Sequence, residues 1–434
     1  MKDLPVSEYV LDNGLKVLLC HLDGVTINTV TVNAAVKIGR LSDLERGMDV
    51  AHLIEHNLFK GTKKFPTRDL LDGFIERVGG IGGGSTDNEL TNYDVEVFPN
   101  DLEKAIEYLN EMLFNPLFSE EGFMSSCKML KEERKKKNDL FRDHFYEFLF
   151  GKESPWALSS LAEESKIDLI TREQVIDVYR FYYQPKNIVL SVVGNFKKEQ
   201  ALNIIKNYMG VVTNTNINLN ISQRPNLDYL NKKVKVTGND FNRIGLTTGY
   251  VFISKDRYRE KVLFQIIGQI LGLMSSRRTW KKIVGEELLT YSFEIGYLSI
   301  GNIDLFRAFS YFDQSNFIKA VDIVFKEFEI LKKTLVSEDE LSAAKENQKR
   351  WVCNDYRDTW MIAKNITSVC AIEGRFNNVE ELVAEIDSVT AKDICELVNK
   401  YFTKDNFYLF ALGGPKKNNL EEEIFALCEK HKIK

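Results

Sequence analysis

Ile167 to Gly194 reads IDLITREQVIDVYRFYYQPKNIVLSVVG, and Ile386 to Gly413 reads IDSVTAKDICELVNKYFTKDNFYLFALG. The two segments align without gaps, 219 residues apart (386 − 167). Each carries a threonine, Thr171 or Thr390, placed to cap a helix. Apolar residues then recur at three- and four-residue spacing, and an apolar strand closed by glycine ends the segment. A helix and strand repeated at this distance imply two similar halves of about 200 residues each, a usual domain size. The polar, asparagine-rich TNTNINLNISQRPN, from Thr213 to Asn226, reads as the connection. The expected division is a domain at 1–212, a linker at 213–230 and a homologous domain at 231–434.

The first half opens with strand-like runs punctuated by Asn13-Gly14 and Asp23-Gly24, dipeptides that supply the positive φ angles of tight hairpins. A small antiparallel meander is expected there. Leu102, Ala105, Ile106, Leu109, Met112 and Leu113 then give Asp101 to Phe114 one apolar helical face, ending before Pro116. Strands mixed with long helices place the chain in the α+β class, with a mixed sheet packed by helices in each half.

With 434 residues, 44% of them hydrophobic, the chain can bury its cores without disulfide or metal staples. Its formal charge of −5 supplies no strong field for nucleic acid or an anionic membrane, and neither partner is expected. The six cysteines are scattered without a C-x-x-C pair, which suits reduced thiols. The N-terminal MKDLPVSEYVLDNGLKVLL has no continuous apolar core, and VLFQIIGQILGLM at Val262 to Met274 is too short to span a bilayer. A cytoplasmic location is the expectation, with a transit peptide removed ahead of this numbering as the open alternative.

The chemistry concentrates in AHLIEHNLFKGT, Ala51 to Thr62. On a helix, His52, Glu55 and His56 project from one face, with Val50, Ile54 and Leu58 as an apolar stripe roughly opposite. Two neutral imidazoles one turn apart suit Zn²⁺, leaving a third protein ligand to be found and a fourth position for water. Glu55 could then accept a proton from that water. The competing reading is a helix with two solvated histidines. The order H-x-x-E-H is that of the inverzincins.

Together with GGGSTDNELTNYDVEVFPNDLEKAIEYLNEMLFNPLF, YQPKNIVLSVVGNF and the duplication, this segment resembles the M16 (pitrilysin, insulinase and mitochondrial processing peptidase-like) metallopeptidases over nearly the whole chain. The resemblance implies two homologous α/β domains and a zinc-dependent endopeptidase acting on short or unfolded peptides in an enclosed chamber. It also implies a third ligand, a glutamate within CKMLKEERKKK, for which Glu132 and Glu133 both qualify. Glu132 has Lys128, Lys135 and Lys136 at helical spacing, whereas Glu133 follows Met129 and Leu130 by one turn, which favours Glu133. Relatives carry another supporting glutamate seven residues earlier, where this chain has Ser126.

The family's substrate-pairing edge strand corresponds to Gly83, Gly84, Ser85 and Thr86, with Gly83 and Gly84 replacing the usual asparagine and alanine. A more flexible edge is the expected consequence, and a plain glycine-rich turn the bland alternative. In SSRRTWKKIVGEELLTYS, Tyr291 matches the family's substrate-binding tyrosine, with an ordinary core tyrosine as the competing reading. Val284 stands at the position of the arginine. Arg277 and Arg278 lie nearby, most simply as partners of surface carboxylates. That pattern implies a dimer, and specifically a zinc-bearing subunit whose partner supplies the arginine and tyrosine; a homodimer with a weakened site is the other form. The rival from a different class is a non-catalytic peptide-binding or scaffold subunit. His21, His144 and His431 have no companion at ligand spacing, and the lysines at 135 to 137 read as a solvated helix face.

Overall fold

The computed structural model describes residues 4–22, 28–43, 49–136, 140–151, 167–214, 234–238, 243–272, 276–376, 378–414 and 419–433. Two compact units form. The first combines Met1–Asp139, Pro155–Gln223 and Cys353–Glu380, and the second Leu140–Ser154, Arg224–Val352 and Glu381–Lys434.

In the first unit, strands β1 (Val6–Val10), β2 (Lys16–His21), β3 (Val30–Val36), β4 (Ile81–Thr86), β5 (Thr91–Val97) and β6 (Ile188–Gly194) make a sheet ordered β1-β2-β6-β3-β5-β4. β2 and β6 are parallel and the other pairs antiparallel, so the sheet is mixed. The Asn13-Gly14 hairpin is present: Gly14 N–H donates to Leu11 O at 2.7 Å and Gly14 takes φ +83°. Asp23-Gly24 lies outside the described residues. The expected meander needs correction, because β6 inserts between β2 and β3. β6 is buried along its whole length, and a strand apolar on both faces belongs at the centre of a sheet rather than near its rim.

One face of this sheet carries the main core. Helix α1 (Val50–Leu58) contributes Val50, Ala51, Leu53, Ile54 and Leu58, and helix α2 (Leu102–Phe114) buries the six apolar residues that its sequence spacing picks out. Helix α3 (Glu120–Lys136) packs beside α1. The second unit repeats the scheme with β7 (Val234–Thr237), β8 (Arg243–Phe252), β9 (Glu294–Ile300), β10 (Ile303–Asp313) and β11 (Phe407–Gly413), in the order β7-β11-β8-β10-β9. β11 occupies the place of β6, parallel to one neighbour and antiparallel to the other. The helices before the two equivalent strands, Arg172–Tyr182 and Ala391–Tyr401, both start in capping boxes, Thr171 with Gln174 and Thr390 with Asp393.

The division expected at 1–212 and 231–434 needs correction in two places. Helix α4 (Leu140–Phe150) belongs to the second unit, where Phe141 packs edge-on against Phe410 and Phe145 lies tilted against Tyr408, with ring centroids 5.3 and 5.5 Å apart. The helix Thr359–Glu373, α5 here, covers the second face of the first sheet, packing Ile362, Ala363, Ile366 and Cys370 on Leu18, Ala35, Val189 and Val193. Each helix buries its apolar side against a sheet distant in sequence, where it removes that sheet's apolar face from water. Of the expected linker, 215–230 lies outside the described residues. The six cysteines are free thiols, and no described helix is long and apolar enough to cross a membrane.

Candidate metal centre

α1 is more deeply buried than a half-polar helix requires. Its apolar residues reach the core from more than one side, and His52 and Glu55 are each only 8% exposed. The competing reading of a solvated histidine pair is therefore excluded by burial, the His52 and His56 side chains being 10% and 11% exposed. His52 Nε2 lies 3.2 Å from His56 Nε2. Glu133 reaches across from α3, with Oε2 3.6 Å from His52 Nε2 and Oε1 3.4 Å from His56 Nε2.

These separations fit a metal. Two donors about 2.05 Å from a tetrahedral Zn²⁺ stand about 3.3 Å apart, close to all three distances. Imidazole nitrogens facing each other at 3.2 Å need a cation or a shared proton between them, because two lone pairs repel. Among the described residues, His52, His56 and Glu133 are the group of nitrogen and carboxylate donors that converge in this way. Burial, then the neighbouring His52, lowers the His56 pKa to about 4, leaving its ring neutral and able to ligate at neutral pH. Glu132 is exposed, so of the two candidate glutamates it is Glu133 that joins the histidines.

Glu55 stands beside the group without joining it. Its Oε2 accepts a 2.6 Å hydrogen bond from Thr86 Oγ1. Burial raises its pKa, while the Thr86 hydrogen bond and then His52 oppose the rise. A carboxylate of raised basicity, held in place and facing a metal position, is suited to take a proton from a bound water. Ser126 is fully buried and donates to Gly122 O at 2.9 Å, so that turn of α3 brings no carboxylate to the site.

Gly83, Gly84 and Ser85 lie in β4, the edge strand of the first sheet, rather than in a simple turn. Gly84 has a steric reason for lacking a side chain: a Cβ there would stand 3.2 Å from Glu55 Cγ and 2.9 Å from Phe59 Cε2. Close approach of the strand to α1, rather than flexibility alone, explains this glycine. Gly83 faces Asp94, and Ser85 Oγ accepts from Lys364 Nζ at 3.2 Å. A cleft of about 450 Å³ runs along this edge, lined by Glu55, His56, Phe59, Tyr108, Met129 and the β4 glycines.

Tyr291 belongs to the second unit and is 91% exposed, which rules out the core-tyrosine reading. Val284 sits on the short helix Lys281–Glu286. Arg278 is engaged by Glu340 through two 2.5 Å hydrogen bonds, the carboxylate pairing expected of it. His144 pairs with Glu147, and His431 with Asp322 and Glu329, so both are satisfied without a metal. The side chains of the 135–137 lysine run lie outside the described residues.

The sequence assigns no role to Asp49 and places Thr86 only in the edge strand, without its contact to Glu55. Thr86 lies at the end of the glycine run, and Asp49 three residues before His52, a spacing that alone does not distinguish it from a helix cap.

Comparison with known proteins places the site in a family context. Residues 23–152 match the family model described as Insulinase (Peptidase family M16), and residues 169–348 match the one described as Peptidase M16 inactive domain. An uncharacterized zinc protease of Rickettsia felis is 24% identical over 411 residues, covering 91% of this chain and 94% of that protein. The human mitochondrial-processing peptidase subunit beta is 22% identical, covering 94% and 84%. A crystal structure of a protease from Helicobacter pylori superposes with a TM-score of 0.82 at 18% identity, covering 95% of this chain and all of the other.

Proposed function

Because this chain belongs to the M16 peptidase family, we propose that it is a zinc-dependent endopeptidase that cleaves short or unfolded peptides in an enclosed chamber. The observation that carries the reading is the convergence of His52, His56 and Glu133 at 3.2 to 3.6 Å, with Glu55 beside them. His52, His56 and Glu133 would hold the ion. Zinc, when bound, supplies a Lewis acid that polarises a peptide carbonyl and lowers the pKa of a bound water.

The remaining steps fall to the chain itself. Glu55 accepts the water proton at its carboxylate and later passes it to the leaving amine nitrogen. Thr86 fixes the carboxylate so that one oxygen stays turned toward the cleft. β4, the outermost strand of its sheet among the described residues, offers its free side to an extended substrate, whose backbone it would bind by strand addition. Main-chain pairing tolerates many sequences, as a peptidase of unfolded segments requires.

The alternative is a non-catalytic peptide-binding or scaffold subunit, favoured by Ser126 and by Val284 in place of the supporting glutamate and the arginine. Against it stands the complete His52, Glu55 and His56 set, which a non-catalytic chain has no chemical need to retain. We further propose a dimer, with a related partner subunit supplying the arginine and tyrosine pair; one relative is itself named as a subunit of a peptidase. Glu55→Gln tests the mechanism, since glutamine can still accept from Thr86 but cannot take the proton. Zinc should be retained and cleavage of a quenched fluorescent peptide should fall about 10²–10⁴-fold. Equal cleavage by the variant would refute the role of Glu55. Adding the partner should raise cleavage, and no change would count against the heterodimer.

A further inference from the structure

Asp49 begins α1 in an unusual way. It takes φ +58° and ψ +37°, the left-handed region that side chains other than glycine seldom occupy. It is also 4% exposed, and although it stands at the N-cap of α1 its side chain caps no backbone N–H. An aspartate at an N-cap ordinarily accepts from the second or third helical N–H. Here the carboxylate turns instead to the third helical side chain: Oδ2 lies 3.3 Å from His52 Nδ1. The other oxygen, Oδ1, is 3.7 Å from Arg40 Nε. An uncommon backbone conformation thus coincides with a carboxylate directed at an imidazole nitrogen rather than at a helical N–H.

The two nitrogens of His52 divide their work. Nε2 faces His56 and Glu133, so it is the nitrogen available to the ion. With Nε2 on the ion, Nδ1 carries the hydrogen and donates it in a hydrogen bond that Asp49 Oδ2 accepts. A carboxylate on the far nitrogen fixes the tautomer and the ring plane and makes the ligating nitrogen more basic. Ser126 leaves α3 without a carboxylate for such a purpose, since its hydroxyl is bonded to Gly122 O. The carboxylate comes from the start of α1 instead.

We infer that Asp49 is a positioning residue that orients His52 for the metal, with Arg40 steadying its second oxygen. The inference rests on the zinc reading above.

The test measures zinc affinity rather than turnover, by competition of the full-length protein against a chromophoric chelator. Asp49→Gly removes the acceptor while suiting the left-handed backbone. Asp49→Asn keeps the shape and one acceptor oxygen but loses the charge. The expected result is a zinc Kd weakened about 10–100-fold in Asp49→Gly and less in Asp49→Asn. The metal-free Tm of the asparagine variant should match that of wild type, which separates ligand orientation from a structural role. Affinities within about twofold of wild type in both variants, with wild type binding zinc normally, would overturn the role of Asp49 and leave the metal centre standing. The inference would be overturned likewise if only the glycine variant weakened and its metal-free form were unfolded. A wild-type protein that takes up no zinc would overturn both readings.

Discussion

Thr86→Val tests the support of the catalytic carboxylate. Thr86 Oγ1 donates to Glu55 Oε2 at 2.6 Å, and the two residues are 9% and 8% exposed. Valine has the same shape without the hydroxyl, so the substitution removes this bond and a marginal 3.4 Å approach to Thr91 Oγ1. A buried hydrogen bond to a charged acceptor contributes about 1.5–3 kcal/mol, and leaving the acceptor without it forfeits most of that. The metal-free protein should therefore lose about 2 kcal/mol of stability, a Tm decrease of about 4–8 °C for a cooperative unit of roughly 150–250 residues. Cleavage should fall about tenfold, less than in Glu55→Gln, because the carboxylate survives but its aim is lost. A double-mutant cycle with Glu55→Ala isolates the pair, with an expected coupling of about 1–2 kcal/mol. Unchanged Tm and cleavage, with coupling below about 0.5 kcal/mol, would show that Glu55 is held by something other than Thr86.

Other consequences follow from the same geometry. Since the His56 pKa is lowered to about 4, protons compete poorly with zinc near neutrality. Dialysis followed by metal analysis should find zinc retained at pH 6 and released as the pH falls toward 4. Glu340 is held at about 2, chiefly by its hydrogen bond to Arg278, so the pair stabilises the fold above the ordinary glutamate range and loses that contribution as pH falls toward 2. Discounted for partial exposure, Glu340→Gln should cost about 1 kcal/mol at pH 7 in urea unfolding and nearly nothing at pH 2.5. Gly249→Ala would place a Cβ 1.9 Å from Phe306 O in the second sheet. The strands must separate to admit it, and a loss of about 3 kcal/mol or more in thermal unfolding is expected.

What the sequence disclosed, and what it withheld, follows from the range over which each signal acts. Capping boxes and apolar runs are local, so Thr171, Thr390, β6 and β11 were legible and revealed the duplication. The amphipathic helix at 102–114 was legible for the same reason, its face being set by residues within a few turns. The docking of Leu140–Phe150 and Thr359–Glu373 was not, because an apolar helix face does not specify which of two similar sheets it will cover. Nor did the strand-like runs of β2 and β3 reveal that β6 lies between them, since strand order depends on partners more than 150 residues away.

At the site, the i, i+4 spacing of His52 and His56 gave the ligand pair, and charge around the α3 helix distinguished Glu133 from Glu132. Asp49 was not legible, because its three-residue spacing from His52 equally suits a helix cap. Gly84 was read as a loosened edge, whereas its surroundings show a strand that must pass close to Glu55 and Phe59.

The most direct measurement is the zinc content of the purified chain beside that of His52→Ala. The account predicts about one zinc per chain in wild type and little in the variant, with both proteins folded. Wild-type protein that remains folded yet takes up no zinc at neutral pH would contradict it, leaving His52, Glu55 and His56 as a buried polar cluster without metal chemistry.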